Sequence, residues 1–432
     1  MKLNNKILII YFLLLPIMLF SQKSGKKKNY KTRYGFEVAH RPAVNYTVFV
    51  DYNDSTYKPV VYISFSIQYD VVLFEKQGKN YVGGLQLTAS IMQNDMVVAK
   101  ETWNEKIVLD SFKKTNSKDY QLYIYKFQNV EPAGTDENYQ CFINVMDIVT
   151  RKAFIDKRSF KIKRFKKDNN SIIPSTDLIF LINKPTADYR VPINPNDSIL
   201  DYGKKYWAYF RLLKNIDDSL KINIRIYKEH KDDLKLFKQM YRMAYGDSVI
   251  IEIPTIELPE GNYKLSLSGQ YKDMFFKTEK EFSLIWYEKP VFLYKYELAL
   301  RPMKLLLPKK EMDRVSDMND EELNKWFDEY WKSKDPSPGT DFNELKFEFY
   351  KRVDEANIKY SRKFKDGWQT DRGKILILYG NPEKIIDNRT TVGKPPYIIW
   401  EYNNGSEKFT FIDEDRDGEY TLYEGNGGQA KQ

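Results

Sequence analysis

The chain has 432 residues, a net charge of +9, one cysteine and two histidines. A single cysteine excludes an internal disulfide, so the chain must be stabilised by its apolar cores. The charge is concentrated in the first 33 residues, which hold eight basic residues and no acid, and only +1 remains for residues 34–432. A nearly neutral body lacks the electrostatic footprint of a general nucleic-acid binder.

In chain order, Lys2 and Lys6 precede an apolar run from Ile7 to Phe20, and the small Ser21 follows. This pattern predicts a secretory signal peptide over 1–21, because the run is shorter than the ~20 residues a bilayer span needs. An uncleaved N-terminal anchor is the alternative, since Leu19 is large for the position two before Ser21. No cysteine lies near the cleavage position, which argues against lipid attachment. Residues 22–33, with Lys23, Lys26, Lys27, Lys28, Lys31 and Arg33, read as a basic linker. Such an arm suits contact with an anionic membrane surface, or serves only as a solvated tether.

About 410 residues after the leader suit roughly three domains. Residues 34–165 carry short β-branched and aromatic runs at period two, such as 46–51, 60–67, 85–91 and 123–127, separated by turn residues. They predict an antiparallel β-sandwich, with Cys141 a buried strand residue. After a linker at 166–175, residues 176–288 repeat the pattern at 206–210, 221–227, 248–253 and 264–268 and predict a second sandwich of the immunoglobulin-like kind. In each, a Pro/Gly turn precedes a Tyr that starts a strand: Glu131–Gly134 before Tyr139, and Pro259–Gly261 before Tyr263. The charged stretch 228–244 leaves a helical insertion open.

Beyond Pro290 the period becomes helical. Asn319 followed by three acids predicts a capped helix with Leu323, Trp326, Phe327, Tyr330 and Trp331 on one face. Pro336 and Pro338 stop it. Thr340 or Asp341 starts the next helix, with Asp341 and Glu344 as a capping box and Phe342, Leu345, Phe349, Val353, Ala356 and Tyr360 as its apolar stripe. Strands are expected at 375–379, 397–402, 408–412 and 420–423, completing an α+β domain over 295–425.

This last region contains four strings in order: Trp331-Lys-Ser-Lys-Asp335-Pro-Ser-Pro-Gly-Thr-Asp-Phe-Asn343-Glu, Gly367-Trp368-Gln-Thr370-Asp371-Arg372-Gly373, Tyr379-Gly380-Asn-Pro382 and Trp400-Glu-Tyr402. Together they resemble the GWxTD domain family, found mainly in envelope proteins of Bacteroidetes-like bacteria. The resemblance covers about the last quarter of the chain. It implies a domain and a location in the cell envelope, periplasmic or at the outer membrane, but no reaction.

Each motif residue has a local structural use. Gly367 is expected to end the long helix in a left-handed conformation, Trp368 to anchor the turn, Thr370 and Asp371 to bond backbone N–H groups, and Gly373 to ease entry into a strand. The competing reading makes Asp371 and Arg372 a ligand or partner pocket, joined by Asp335 and Asn343. Asp413, Asp415, Asp417, Gly418 and Glu424 match the spacing of a calcium loop, but the flanking segments read as strands and Asp417-Gly418 as a hairpin turn. Calcium is therefore the one candidate cofactor.

His40 and His230 fall in different predicted domains, and no phosphate-binding or dinucleotide-binding glycine loop is present. The expected protein is an exported, mainly β envelope component that binds or scaffolds a protein or glycan partner. An enzyme or ligand-binding module centred on the Gly367–Gly373 motif is the alternative.

Overall fold

The computed structural model describes residues 38–53, 56–127, 130, 137–165, 171–185, 193–214, 216–230, 233–390, 393 and 395–423. The expected leader, the basic linker, the Glu131–Gly134 turn and Glu424 lie outside them. The described residues divide into two compact units, one built on residues 43–165 and one on residues 38–42 with those from 171 to 423.

In the first unit, β1 (Val44–Tyr52), β2 (Pro59–Gln68) and β6 (Tyr120–Lys126) form one antiparallel sheet. A second sheet contains β3 (Glu75–Gln77), β4 (Asn80–Gln93), β5 (Met96–Leu109), β7 (Asn138–Asp147) and β8 (Ala153–Lys161). A single helical turn, α1 (Phe112–Thr115), precedes β6. Alternation sets the buried face: Leu85, Leu87, Ala89 and Ile91 of β4 lie beside Tyr139, Cys141, Ile143 and Val145 of β7. Cys141 is fully buried, and burial pushes its thiol up to about 12.

The second unit begins with another pair of sheets. β9 (Ile179–Leu181), β11 (Tyr206–Arg211) and β14 (Ser248–Ile253) make the smaller one. The larger runs β10 (Ile199–Asp201), β16 (Met274–Ile285), β15 (Gly261–Tyr271), β12 (Ser219–His230) and β13 (Asp233–Tyr245). All pairings are antiparallel except β10 with β16. Ile222, Ile224 and Ile226 of one sheet share a core with Ala208, Phe210 and Ile251 of the other. Residues 233–244 are therefore strand, not a helical insertion: they pair antiparallel with β12 as an edge strand that is exposed along most of its length. Tyr263 ties its turn down as expected, donating from its hydroxyl to the Pro259 carbonyl at 2.6 Å.

A 3-10 turn at Val291–Tyr294 leads into α2 (Tyr296–Met303), α3 (Lys309–Ser316), α4 (Asp320–Ser333), α5 (Glu344–Tyr360) and α6 (Asp371–Tyr379). These precede the antiparallel sheet β17 (Lys384–Asp387), β18 (Tyr397–Tyr402), β19 (Glu407–Ile412) and β20 (Thr421–Leu422). Phe327, Trp331, Tyr350, Val353, Trp368, Leu376, Trp400 and Phe411 form their common core. α4 has its full capping box, Asn319 with Glu322.

Three expectations fail here. The run Ile375–Tyr379 is the body of helix α6, not a strand; periodicity cannot separate a short buried helix from a buried strand, and Thr370 supplies an N-cap. Helix α5 starts at Glu344 with Asn343 as cap, because the Asn343 Oδ1 accepts from the Lys346 N–H at 2.8 Å. On its apolar stripe, Leu345 is exposed and Tyr350 is fully buried. Among the described residues no helix is long and apolar enough to cross a membrane.

Candidate functional site

Gly367–Gln369 form a 3-10 turn packed against α5, Thr370 caps α6, and Asp371–Gly373 are its first residues. Gly367 does not end α5, which stops at Tyr360. Its need for glycine is close approach: a Cβ there would lie 1.9 Å from the Ala356 carbonyl oxygen. Gly373 does the same inside α6, where a Cβ would meet the Gly367 carbonyl at 1.9 Å. The turn is thus pressed backbone to backbone on both sides.

Side chains then lock it. The Gly367 N–H donates to Ser361 Oγ at 2.9 Å and the Trp368 N–H to Asn357 Oδ1 at 3.1 Å. The Trp368 ring is 3% exposed, edge-on to Phe292 and covered by the Lys304 ammonium 4.5 Å from its centroid. Thr370 Oγ1 donates to the Gly367 carbonyl at 2.7 Å and accepts from the Gly373 N–H at 3.1 Å. Asp371 reaches across to the sheet: Oδ2 accepts from the Leu422 N–H at 3.0 Å, and Oδ1 from Lys374 Nζ at 2.8 Å. Burial pushes its pKa up, but Lys374 and the Leu422 N–H outweigh burial and hold the carboxyl below its ordinary value. The carboxylate is spent on fastening α6 to β20.

Gly380 ends α6 with φ 82°, and its carbonyl accepts from the Tyr402 hydroxyl at 2.9 Å. Pro382 follows in the connection to β17. The Tyr379–Pro382 and Trp400–Tyr402 strings are thereby joined.

Asp335 and Asn343 lie at the other end of α5, about 25 Å away at 1.5 Å per helical residue. They do not join Asp371 and Arg372. Asp335 Oδ1 accepts from the Ser337 N–H at 2.8 Å, opening a turn. Asn343 Nδ2 donates to the Trp331 carbonyl at 2.7 Å and so bridges α4 and α5. The loop between them docks on the preceding pair of sheets. Asp341 accepts from the Tyr202 hydroxyl at 2.6 Å, and its N–H donates to the Ile256 carbonyl at 2.7 Å. Phe342 lies against Gly203, where a Cβ would come within 2.8 Å of the ring, and edge-on to Trp286.

The acidic loop 413–420 joins β19 to β20 as a hairpin, with Arg416 and Gly418 in left-handed conformations. Asp413 is buried: Oδ2 accepts from the Gly418 N–H at 2.9 Å, and Oδ1 has no hydrogen bond among the described residues. Asp417 Oδ1 accepts from the Glu419 N–H at 2.7 Å. Asp415 is exposed. No group of three acids, histidines or cysteines among the described residues is placed to hold a metal. Arg362 lies against Gly418, where calcium would need negative charge. Glu424, the twelfth position of the expected loop, lies outside the described residues.

Among the described residues the buried Trp368 Nε1 has no hydrogen-bond partner, and Arg372 is held by rings and not by an acid. The Arg372 guanidinium lies between two rings, its Cζ 4.7 Å from the Tyr360 centroid and 4.4 Å from that of Tyr420. Neither tyrosine was marked by sequence, because Tyr360 reads as helix core and Tyr420 as strand.

The fold and this locked turn define a mainly β protein that ends in an α+β module organised around a 3-10 wedge. That module is a GWxTD domain, whose family model matches residues 277–427. No curated protein matches the chain. Similar solved structures include trypsin-activated alpha-2-macroglobulin from Escherichia coli, 9% identical, covering 58% of this chain at a TM-score of 0.19. Red sea bream transglutaminase is 6% identical over 57% of this chain (TM-score 0.17), and the beta-D-glucuronidase of Dictyoglomus thermophilum 8% over 59% (TM-score 0.15). This chain spans 17%, 32% and 45% of those chains, respectively, and at such scores the likenesses carry no argument.

Proposed function

We propose that this chain is an exported cell-envelope protein that binds or scaffolds a protein or glycan partner without catalysis. In this reading two immunoglobulin-like sandwiches precede the GWxTD domain, the leader at 1–21 directs export, and the basic arm at 22–33 rests near an anionic membrane surface. The observation that supports it most is the use made of the motif. Thr370, Asp371 and Asn343 all spend their polar atoms on backbone groups or on Lys374 within the domain. Side chains consumed in this way build a rigid body suited to presenting surfaces. The paired sheets extend that surface, although β-sandwiches as spacers are an argument from fold alone.

Affinity purification from crosslinked cells of the native host tests the proposal. Reproducible capture of an envelope component by the wild-type chain supports it. Turnover of envelope glycan or peptide by the purified chain, lost on Asp371→Asn with the fold intact, would replace it with the enzymatic reading.

A further inference from the structure

β13 is a free edge of the larger sheet in the second unit: β12 pairs with one side of it, and no described strand pairs with the other. It is 13 residues long, whereas β10 at the opposite edge has 3. Shortness, proline and charge are what keep a sheet edge from pairing. β13 contains no proline, and its Leu234, Leu236, Phe237, Tyr241, Met243 and Tyr245 are each 45–74% exposed. Such an edge offers another strand both backbone N–H and C=O groups and apolar side chains.

The charges along β13 select the strand that fits. Asp233, Lys235, Lys238 and Arg242 are its only charged residues, and Lys238 is already paired with Glu257. Asp233 and Arg242 are exposed and make no ion pair among the described residues; the first accepts from the Leu234 N–H and the second donates to the Tyr241 carbonyl.

The ladder with β12 fixes the faces. Lys238, Met240, Arg242 and Ala244 stand opposite Ile226, Ile224, Ile222 and Leu220, which are buried in the core. The register then shifts by one residue between Ile226 and Tyr227, so that Lys235 and Asp233, opposite Lys228 and His230, share this core-side face. Phe237, at the shift, turns the same way, its ring centroid 6.1 Å from that of the buried Tyr263. Leu234, Leu236, Gln239 and Tyr241 take the outer face.

Two copies of β13 laid antiparallel about a two-fold axis between Phe237 and Lys238 match these faces all the way from Asp233 to Arg242. Asp233 then stands opposite the partner's Arg242, Leu234 opposite the partner's Tyr241 and Lys235 opposite the partner's Met240. Symmetry makes the acid–arginine pair twice. A slip of one residue sets outer side chains against core-side ones. A slip of two puts Lys235 opposite the partner's Arg242 or the partner's Lys238, and like charges directly opposite repel.

We propose that this edge is a dimerisation surface, where β13 pairs antiparallel with β13 of a second copy, the register shift lying on the two-fold axis and an Asp233–Arg242 pair at each end. The self-complementary order of charges favours a second copy over an unrelated strand. The dimer goes beyond the binding role proposed above and stands or falls apart from it.

Sedimentation velocity on the full chain over a concentration series tests the pairing. The wild-type chain passes from monomer to dimer as concentration rises. Asp233→Arg or Arg242→Asp alone sets like charges opposite one another twice and weakens the dimer about tenfold. Asp233→Arg combined with Arg242→Asp rebuilds both pairs in reverse and restores the dimer to within about threefold of wild type, which also shows that the single variants did not merely unfold. A wild-type chain that stays monomeric up to about 100 µM overturns the proposal. So does a dimer that both single variants leave unchanged, or a loss that the double variant does not restore.

Discussion

At the amino end of α5, Asp341, Phe342 and Asn343 are engaged by Tyr202, Gly203 and the Trp331 carbonyl. At the carboxyl end, the 367–373 segment is packed as tightly, and the Arg372 guanidinium lies beside the Tyr360 and Tyr420 rings. Both ends carry a conspicuous sequence string, and both strings build contacts within one unit. The difference is one guanidinium without an acid. A string can be conspicuous because it joins parts of the fold, and a charged side chain in it can be held by rings alone.

The largest test of that comparison is Trp368→Ala. Removing a 3%-exposed ring from the core should cost about 3–5 kcal/mol, read as a lower midpoint of urea unfolding. Unchanged melting with lost partner capture would turn the carboxyl end from a joint into a recognition surface.

Asp354 stands midway along α5, accepting from the Val291 N–H at 2.8 Å, and burial raises its pKa from 3.8 to about 6. Because the folded-state value exceeds the unfolded one, its contribution to stability is full below about 3.8 and is lost as pH rises through about 6. Asp354→Asn should therefore be more stable than wild type at pH 7, by about 2–3 kcal/mol, with the gap closing towards pH 4. Urea midpoints at the two pH values measure it; a gap independent of pH would mean that Asp354 is not the titrating group.

A smaller effect belongs to the amino end. Tyr202→Phe removes the hydroxyl that Asp341 accepts and should cost about 1 kcal/mol. If stability does not move, the rings of Trp286 and Phe342 hold that junction without the hydroxyl.

The smallest concerns the acidic hairpin. Asp415→Ala should change stability by less than about 0.5 kcal/mol, as expected of an exposed substitution. Calcium titrated into the full chain should bind no tighter than about 10⁻⁴ M. Micromolar binding abolished by Asp415→Ala would make the acidic loop a metal site.

The sheets were legible because alternation along β4, β7, β12 and β15 reports directly which face is buried. α4 and α5 were legible from their three- and four-residue spacing. α6 was not: nine residues, five of them a continuous apolar run, fit either element until the Thr370 cap is seen. Gly367 was recognised as special, but for the wrong reason, since the backbone contact that excludes a Cβ comes from Ala356, eleven positions back. The Arg372 clamp was invisible because Tyr420 reaches it only through the folding of β19 and β20 onto α6. Sequence could name the arginine but not the rings that hold it.

Phe342 seated on Gly203 has a consequence for how this domain can be inherited or moved. The recognisable family segment begins at Lys277, inside β16, whereas the seat for Phe342 lies more than seventy positions earlier. A fragment cut at Lys277 would take part of one strand from its sheet and strip Phe342 of the surface that it covers. Gly203 cannot gain a side chain while Phe342 stays, because a Cβ there would stand 2.8 Å from the ring. The segment that carries the signature is therefore shorter than the segment that must travel with it.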